Sequence, residues 1–241
     1  MPSSTASCTE PLQTAELQHW RAAGRAALVQ RRVAMPLAQR RERQYTITRL
    51  LTETFAGLRG MTVAGYWPFR GEFDPRPAMR CFRQRGARLA LPMVVRKAAP
   101  LQFGEWWPGA TLCRGTLGLP VPDGTARVVP QVLLIPLVGF DAKGYRLGLG
   151  GGYFDRTLAA MQPQPLKIGV GFELSRLTTI HPQSHDVPMD FIVTEAGVRS
   201  VGADGLRPVA HAEAVTPWPD DQRSYSSPVC YGSEFEAFFG H

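Results

Sequence analysis

The chain has 241 residues, of which 44% are hydrophobic, so it is long enough to form one domain with a sizeable core. It has neither an apolar leader in residues 1–15 nor an uninterrupted apolar run near the roughly 18 residues of a membrane span, so we expect a cytoplasmic protein without a membrane partner. Its four cysteines are far apart, which excludes a disulfide framework and a zinc site, and its net charge of +7 favours an acidic partner.

Two amphipathic helices are predicted near the N-terminus, after a flexible segment of residues 1–15. In the first helix, apolar residues recur at helical spacing at Leu17, Trp20, Ala27 and Leu28. Pro36 suits the first turn of the second helix, whose buried stripe consists of Ile47, Leu50, Leu51 and Phe55.

Much of the positive charge lies in this helical region. The arginines between residues 21 and 49 are Arg21, Arg25, Arg31, Arg32, Arg40, Arg41, Arg43 and Arg49. We interpret most of them as the solvated faces of the two helices. Nucleic-acid binding is the minority alternative, because neither an RNA-binding aromatic signature nor zinc-finger spacing accompanies the arginines. We therefore predict no nucleic-acid partner.

Strands and helices alternate after residue 60. A helix that begins at Pro75, is capped by Asp74 and ends at Gly86 follows the first predicted strand. The predicted strands span residues 61–67, 89–95, 101–106, 131–140, 167–172 and 191–194. This order predicts an α/β fold over residues 16–197, a three-layer sandwich with a largely parallel central sheet flanked by helices. Residues 198–241 are rich in Gly, Pro, Ser and Asp and are predicted to form a flexible tail.

The most informative segment is 146–156, Arg-Leu-Gly-Leu-Gly-Gly-Gly-Tyr-Phe-Asp-Arg, between the predicted strand 131–140 and a predicted helix at 153–161. Such a glycine-rich link lets backbone N–H groups approach an anion at a helix N-terminus. It matches neither the dinucleotide fingerprint nor the P-loop, and for the glycines alone a simple tight turn remains an equal alternative. Arg146 before the loop and Asp155 after it favour a phosphate site that includes magnesium.

Four segments together resemble one known family. Residues 134–156, Leu-Ile-Pro-Leu-Val-Gly-Phe-Asp-Ala-Lys-Gly-Tyr-Arg-Leu-Gly-Leu-Gly-Gly-Gly-Tyr-Phe-Asp-Arg, closely resemble the signature of 5-formyltetrahydrofolate cyclo-ligases. Residues 66–72 (Tyr-Trp-Pro-Phe-Arg-Gly-Glu), 101–122 and 185–190 (His-Asp-Val-Pro-Met-Asp) are similar to further family segments in the same order. The resemblance covers residues 17–195.

The resemblance implies an ATP-dependent ring closure that converts 5-formyltetrahydrofolate to 5,10-methenyltetrahydrofolate with release of ADP and phosphate. In this family the formyl oxygen attacks the γ-phosphate, and a folate nitrogen then displaces the phosphate. ATP is implied as co-substrate, Mg²⁺ as cofactor and a reduced folate, with or without a polyglutamate chain, as the small-molecule partner. We expect a monomer.

The resemblance also assigns ATP-binding and catalytic residues. Arg21, Arg146 and Tyr153 would bind ATP together with the loop residues Gly148, Leu149, Gly150, Gly151 and Gly152. The implied catalytic residues are Arg146, Tyr153 and Asp155.

Folate and metal ligands follow from the same resemblance. Glu72 and Tyr153 would bind the folate, and Asp155 and Asp190 would bind Mg²⁺. Without the family pattern, Asp155 would be interpreted as a charge at a helix start, Asp190 as an exposed loop acid and Glu72 as an acid that leads a helix.

Some positions depart from the family pattern. Phe154 lacks a hydroxyl that relatives often have, and Gly151 and Leu17 stand where relatives carry lysine. Leu117 replaces an aromatic residue near the pterin, and core packing is the alternative interpretation of its position. A divergent relative that binds nucleotide or another phosphorylated metabolite without cyclo-ligase activity is therefore the alternative function.

Overall fold

The computed structural model describes residues 14–209. In that range no helix has the length and apolar character needed to cross a membrane. Cys113 is an exposed free thiol, and Cys81 is buried. Residues 1–13 of the predicted N-terminal segment, residues 210–241 of the predicted tail, and with them Cys8 and Cys230, lie outside the described residues.

Four α-helices and a short 3-10 helix are present in the described part of the chain. They are α1 Thr14–Val33, α2 Leu37–Thr54, α3 Arg76–Gln84, α4 Tyr153–Ala160 and the 3-10 helix Glu173–Ser175. The two predicted N-terminal helices are thus confirmed. Asp74 does act at the start of α3, because its carboxylate accepts the Arg76 backbone N–H at 3.0 Å, although Pro75 occupies the N-cap position.

Thirteen strands fall within residues 14–209. They are β1 Thr62–Ala64, β2 Arg88–Met93, β3 Gln102–Glu105, β4 Leu112–Arg114, β5 Pro120–Pro122, β6 Arg127–Val128, β7 Val132–Pro136, β8 Gly139–Phe140, β9 Arg146–Leu147, β10 Leu166–Val170, β11 Phe191–Thr194, β12 Gly197–Gly202 and β13 Gly205–Pro208.

Nine of these strands form the central sheet in the order β13-β12-β11-β10-β7-β1-β2-β3-β6. The five strands from β11 to β2 are parallel, and antiparallel strands extend the sheet at both edges. The pairs β4-β5 and β8-β9 form two small hairpins. Because the parallel strands point the same way, their carboxyl ends meet at one side of the sheet.

Helices cover both faces of the sheet, which confirms the three-layer α/β prediction. Val63 and its neighbours on one face pack against Leu51 of α2 and Phe82 of α3. Ala64 and its neighbours on the other face pack against Leu158 of α4. The apolar runs of the central strands are therefore buried on both sides, as a parallel sheet requires. α1 packs through Leu28 against Val138, Leu147 and Ile180.

The predicted continuous strand at 131–140 is in fact two strands. β7 ends at Pro136, and the Leu137 N–H makes the last bond to β10, at Val170 O. The Val138 N–H then bonds to Leu147 O rather than to β10, and β8 pairs with β9. The glycine-rich segment consequently follows a small hairpin instead of following the long strand directly.

The region beyond residue 197 also differs from the sequence prediction. A flexible tail was expected from residue 198, whereas β12 and β13 form a hairpin that extends the sheet at one edge. Its few apolar side chains pack on both faces, Val198 on one and Val201 and Leu206 on the other. The Asp204-Gly205 pair at the turn, with Gly205 at φ +105°, is a hairpin signal that composition alone did not reveal.

Candidate functional site

A cavity of about 940 Å³ lies at the carboxyl ends of the central parallel strands. Pro136 at the end of β7, Tyr66 after β1 and Val94 after β2 line it. Glu72, Arg146 and all five loop residues from Gly148 to Gly152 line the same cavity. The structure therefore brings together Glu72, Arg146 and the glycine loop, to which the resemblance assigned folate and ATP binding.

The glycine loop owes its shape to backbone conformations that favour glycine. Gly150 has φ +97°, and Gly152, with φ +61°, is the N-cap residue of α4. A Cβ at Gly151 would lie 2.8 Å from Cδ2 of Tyr153, so the ring occupies the space of a side chain there. The loop thus brings its backbone close to the cavity at the start of a helix, where an anion is favoured.

Arg146 is the charged group of the site with the most unused hydrogen-bonding capacity. It is buried, and its Nη2 lies 2.9 Å from Oδ1 of Asp155, but the angle does not make this contact a hydrogen bond. Both Nε and Nη2 are buried without a hydrogen-bond partner, while Phe154 packs against the guanidinium. Because a buried donor without a partner is costly, this arrangement is suited to an anion that enters the cavity.

Two arginines of α1, one helical turn apart, reach the cavity from the other side. Arg21 is buried and donates from Nη2 to Oδ2 of Asp186 at 2.5 Å and to His181 O at 2.8 Å. Arg25 donates from Nε to Gly148 O at 2.9 Å. Burial and the like charge of Arg21 lower the pKa of Arg25. Sequence reasoning missed Arg25 and Asp186, although the i, i+4 spacing of Arg21 and Arg25 places them on one helix face.

The arginine-rich stretch is therefore only partly a solvated helix face. Arg21 and Arg32 are buried. Arg40 donates to the backbone carbonyl groups at the end of α1, and Arg43 pairs with Glu195 at 2.8 Å. These four arginines are therefore engaged within the fold.

Glu72 is a buried carboxyl group at the opposite wall of the cavity. Its Oε2 accepts the Phe69 N–H at 3.0 Å, whereas Oε1 is buried without a hydrogen-bond partner, 3.7 Å from Nη2 of Arg32. Burial raises the pKa of Glu72 to about 7, against the opposing effects of Arg32 and the Phe69 N–H. The site thus holds an acceptor whose ionisation is easily changed near neutral pH.

Tyr153 and Arg156 form a stacked pair beside the loop. The Arg156 guanidinium lies 5.3 Å from the Tyr153 ring centroid and donates to Gly151 O. Both residues line the cavity. Leu117, on the β4–β5 hairpin, also lines it with 57% of its surface exposed, so core packing does not explain this position.

Asp190 does not lie with the other predicted site residues. It precedes β11, and its carboxylate accepts the Lys167 N–H at 2.7 Å and pairs with Lys167 Nζ at 2.8 Å. Both residues belong to the amino ends of β10 and β11, whereas the cavity lies at the carboxyl ends. The acid of this motif that reaches the cavity is Asp186.

Within residues 14–209 no group of three His, Cys, Asp or Glu side chains has the arrangement of a metal site. Asp155 lines the cavity directly after the glycine loop. Mg²⁺ is commonly bound by one or two carboxylates together with substrate phosphates and water. The cavity residues are therefore compatible with a magnesium ion that arrives with a phosphorylated substrate, and not with a site built from protein ligands alone.

Comparisons with known proteins agree on one family. The model of the 5-formyltetrahydrofolate cyclo-ligase family matches residues 17–195. Proteins named 5-formyltetrahydrofolate cyclo-ligase are similar to this chain, from Escherichia coli K12 with 32% identity (70% of this chain, 96% of the relative) and from Mycolicibacterium smegmatis with 34% identity (70% and 91%).

Solved structures agree with this result. The Aquifex aeolicus 5,10-methenyltetrahydrofolate synthetase superimposes with a TM-score of 0.66 at 28% identity and covers 80% of this chain and 97% of its own. The Mycoplasma pneumoniae synthetase, with a TM-score of 0.60 at 23% identity over 73% of this chain and 98% of its own, shares the fold.

Proposed function

The chain belongs to the 5-formyltetrahydrofolate cyclo-ligase family, and we propose that it is an ATP-dependent ligase that converts 5-formyltetrahydrofolate to 5,10-methenyltetrahydrofolate, ADP and phosphate. One observation carries this proposal beyond the similarity. The buried guanidinium of Arg146, which is paired with Asp155, has two nitrogen atoms without hydrogen-bond partners at a cavity wall beside a glycine loop that opens a helix. Such a wall is suited to the phosphates of a nucleotide.

The ATP phosphates would be held by side chains and backbone together. We assign this role to Arg146, Arg21 and Tyr153, to the backbone of the loop residues from Gly148 to Gly152, and also to Arg25, which already contacts the loop at Gly148 O. Phosphoryl transfer requires positioning and neutralisation of charge more than covalent help from the protein. Arginines fixed before the nucleotide binds satisfy that requirement, because they do not have to reorganise during the reaction.

The reaction proceeds in two displacements. The formyl oxygen attacks the γ-phosphorus, the bond from phosphorus to the bridging oxygen breaks, and ADP leaves with that electron pair. A second folate nitrogen then attacks the activated formyl carbon and loses its proton to solvent, and phosphate departs with the former formyl oxygen. Arg146 stabilises the charge that develops on the transferred phosphoryl group, and the apolar wall of the cavity limits access of water to the phosphorylated intermediate.

Asp155 is the residue to which we assign magnesium. A magnesium ion would neutralise charge on the ATP phosphates. Asp155 lies against Arg146, so each of these side chains also orients the other. Asp190 has no part in this assignment, because its carboxylate pairs with Lys167 at the opposite end of the strands.

The folate would lie against the wall formed by Glu72, Trp67 and Leu117. Oε1 of Glu72 has no hydrogen-bond partner, so it can accept an N–H of the pterin and thereby orient the formyl group. Trp67 supplies an aromatic face; its ring is held by Arg76, whose guanidinium lies 4.5 Å from the ring centroid. Trp67 thus offers aromatic surface in a site where Leu117 offers none.

We further propose that the protein acts as a monomer in the cytoplasm, where ATP and reduced folates are substrates. The net charge of +7 supports binding of folates with a polyglutamate chain.

The experiment that tests the function mixes the protein with 5-formyltetrahydrofolate and magnesium ATP and follows the absorbance of the methenyl product. We expect the product only when ATP is present. If folded protein that binds ATP gives no product, it is the divergent relative that binds a nucleotide without this activity. Circular dichroism confirms folding, and a titration with ATP confirms binding.

A further inference from the structure

Arg32 is a buried arginine that the proposed reaction does not use. It lies in α1 with 2% of its surface exposed, and it is not among the residues that line the cavity. Its guanidinium donates to three backbone carbonyl oxygens, of Arg70 at 3.1 Å, Leu137 at 3.3 Å and Phe69 at 3.4 Å. Removing a charged side chain from water costs free energy, so a buried arginine needs extensive polar contacts.

The three carbonyl groups belong to the two chain segments that leave β1 and β7. Phe69 and Arg70 lie in the turn between β1 and α3, and Leu137 directly follows β7. The turn has an unusual backbone, since Arg70 has φ +49° and Gly71 has φ +73°. A non-glycine residue in this region persists when its surroundings hold it there, and here Nε of Arg32 bonds to the carbonyl of that residue.

This turn ends at Glu72. The Glu72 N–H donates to Phe69 O at 3.2 Å, and the Phe69 N–H donates back to Oε2 of Glu72 at 3.0 Å. Nη2 of Arg32, which contacts Phe69 O, also lies 3.7 Å from Oε1 of Glu72. The guanidinium therefore contacts the backbone that carries Glu72 and stands beside its carboxylate.

We propose that Arg32 is a positioning residue for Glu72: its guanidinium fixes the turn at residues 69–71 and places a positive charge beside the carboxyl group that binds the folate. This inference rests on the proposed function for its substrate. Arg32 acts through Glu72 and does not itself touch the substrate.

The charged and titratable groups around Glu72 come from three parts of the chain. Arg32 of α1 stands beside the carboxylate, Arg40 of α2 approaches Gly71, and Tyr66 follows β1. Burial, together with Glu72, raises the pKa of Tyr66 well above its ordinary value, so this hydroxyl is neutral. Burial also raises the pKa of Glu72, and Arg32 opposes that rise. Removal of Arg32 should therefore move the titration of Glu72 to higher pH.

The first test observes Glu72 directly. Protein labelled with ¹³C at the glutamate carboxyl carbons is titrated by NMR, and the Glu72 signal is identified by its loss in Glu72→Gln. In Arg32→Met the midpoint should rise by about one pH unit or more. Arg49→Met, which removes the same charge from an exposed pair with Glu53, should leave the midpoint unchanged. An unchanged midpoint in Arg32→Met overturns the proposal.

The second test measures kcat/KM for 5-formyltetrahydrofolate against pH at saturating ATP. In Arg32→Met the acid limb should move upward with the NMR midpoint, and the plateau should fall about tenfold or more. Arg32→Lys keeps the charge but cannot bridge three carbonyl groups, so its limb should stay near that of the wild type while its plateau falls. If the plateau of kcat/KM in Arg32→Lys equals that of the wild type, the positioning role is overturned. If Arg32→Met does not fold, the result for Arg32→Lys alone decides whether Arg32 has this role.

The two proposals fail in different ways. A wild-type protein without turnover contradicts the proposed function, while the NMR titration still decides whether Arg32 controls Glu72. Turnover in the wild type with an unmoved Glu72 midpoint in Arg32→Met contradicts the role of Arg32 alone.

Discussion

Charged groups at the cavity and at the edge of the sheet differ in how fully they are hydrogen-bonded. At the cavity, Arg146 has two nitrogen atoms and Glu72 one oxygen atom that are buried without hydrogen-bond partners. At the edge, both oxygens of Glu173 accept hydrogen bonds from Arg199, at 2.9 and 3.1 Å, and Thr194 adds a third at 2.6 Å. Glu173 at the edge therefore finds its hydrogen-bond donors within the protein, whereas Arg146 and Glu72 at the cavity retain atoms without hydrogen-bond partners. For these charged groups, the extent of hydrogen bonding distinguishes the cavity from the edge.

The pKa directions of two glutamates show the same contrast. Burial raises the pKa of Glu72, because Arg32, at 3.7 Å, and the Phe69 N–H do not compensate for it. Burial also acts on Glu173, but the hydrogen bonds from Arg199 and Thr194 outweigh it and lower the pKa. Glu72, whose carboxylate has fewer hydrogen-bond donors than that of Glu173, can therefore gain a hydrogen bond when a ligand binds.

The largest expected effect is that of Arg146→Met. Loss of a donor fixed at the position of the developing charge should lower kcat/KM for ATP about 100- to 1,000-fold. The free energy of unfolding should change little, because the removal of buried donors without hydrogen-bond partners is offset by the loss of the ion pair with Asp155. Initial rates at saturating folate and urea unfolding measure the two quantities. Turnover near that of the wild type, with a native circular dichroism spectrum, would remove Arg146 from the site.

Next in size is the pH dependence of stability that Glu72 causes. Its folded pKa of about 7 lies above the unfolded value, so its contribution to stability is present below the unfolded pKa and is lost as pH rises toward 7. A rise of this size corresponds to roughly 3 kcal/mol. Between pH 4 and 8 the wild type should therefore lose about that much stability relative to Glu72→Gln. Urea unfolding of both proteins across this range measures the difference, and parallel curves would contradict the assignment.

Glu72→Gln should also separate the two ligands. The amide cannot replace a charged acceptor, so folate affinity should fall roughly 10- to 100-fold while ATP affinity changes little. Calorimetric titration of each ligand alone provides the comparison. Equal losses for both ligands would contradict a role of Glu72 at the folate.

At the edge of the sheet, a substitution in the cluster of Glu173, Arg199 and Thr194 should lower stability and leave activity nearly unchanged. Arg199→Met should lower the free energy of unfolding by about 1–2 kcal/mol, because it leaves Glu173 without its bidentate partner. Turnover should remain within about twofold of the wild type, since neither residue lines the cavity. Urea unfolding and steady-state rates decide the matter; a large loss of turnover without a loss of stability would erase the contrast between the two regions.

The sequence predicted those parts of the site that are close together in the chain. The glycine loop, Arg146, Tyr153 and Asp155 lie within eleven residues, and all of them line the cavity. Glu72 was also predicted, because residues 66–72 resemble a segment of the family. The alternation of strands and helices was sufficient for the fold class, since apolar runs in parallel strands are buried on both faces.

What the sequence did not show depends on tertiary packing. Arg25 and Arg32 look like any other arginine on a helix, and only the packing of α1 across the strand ends turns them inward. The β12–β13 hairpin was missed because its few apolar side chains are divided between two faces of the sheet. Asp186 and Asp190 belong to one short motif, and only the course of the chain between them shows which one reaches the cavity.

The smallest expected effect concerns Asp190. Asp190→Asn weakens a half-exposed pair with Lys167, which should cost less than about 1 kcal/mol of stability. The magnesium concentration for half-maximal activity should stay within about twofold of the wild type, because Asp190 lies at the amino ends of the strands. Asp155→Asn, in the cavity, should raise that concentration clearly, and it serves as the matched comparison. A magnesium titration of activity measures both variants. A rise in Asp190→Asn as large as that in Asp155→Asn would mean that the charge at the amino ends of the strands, although fully paired, still contributes to metal binding.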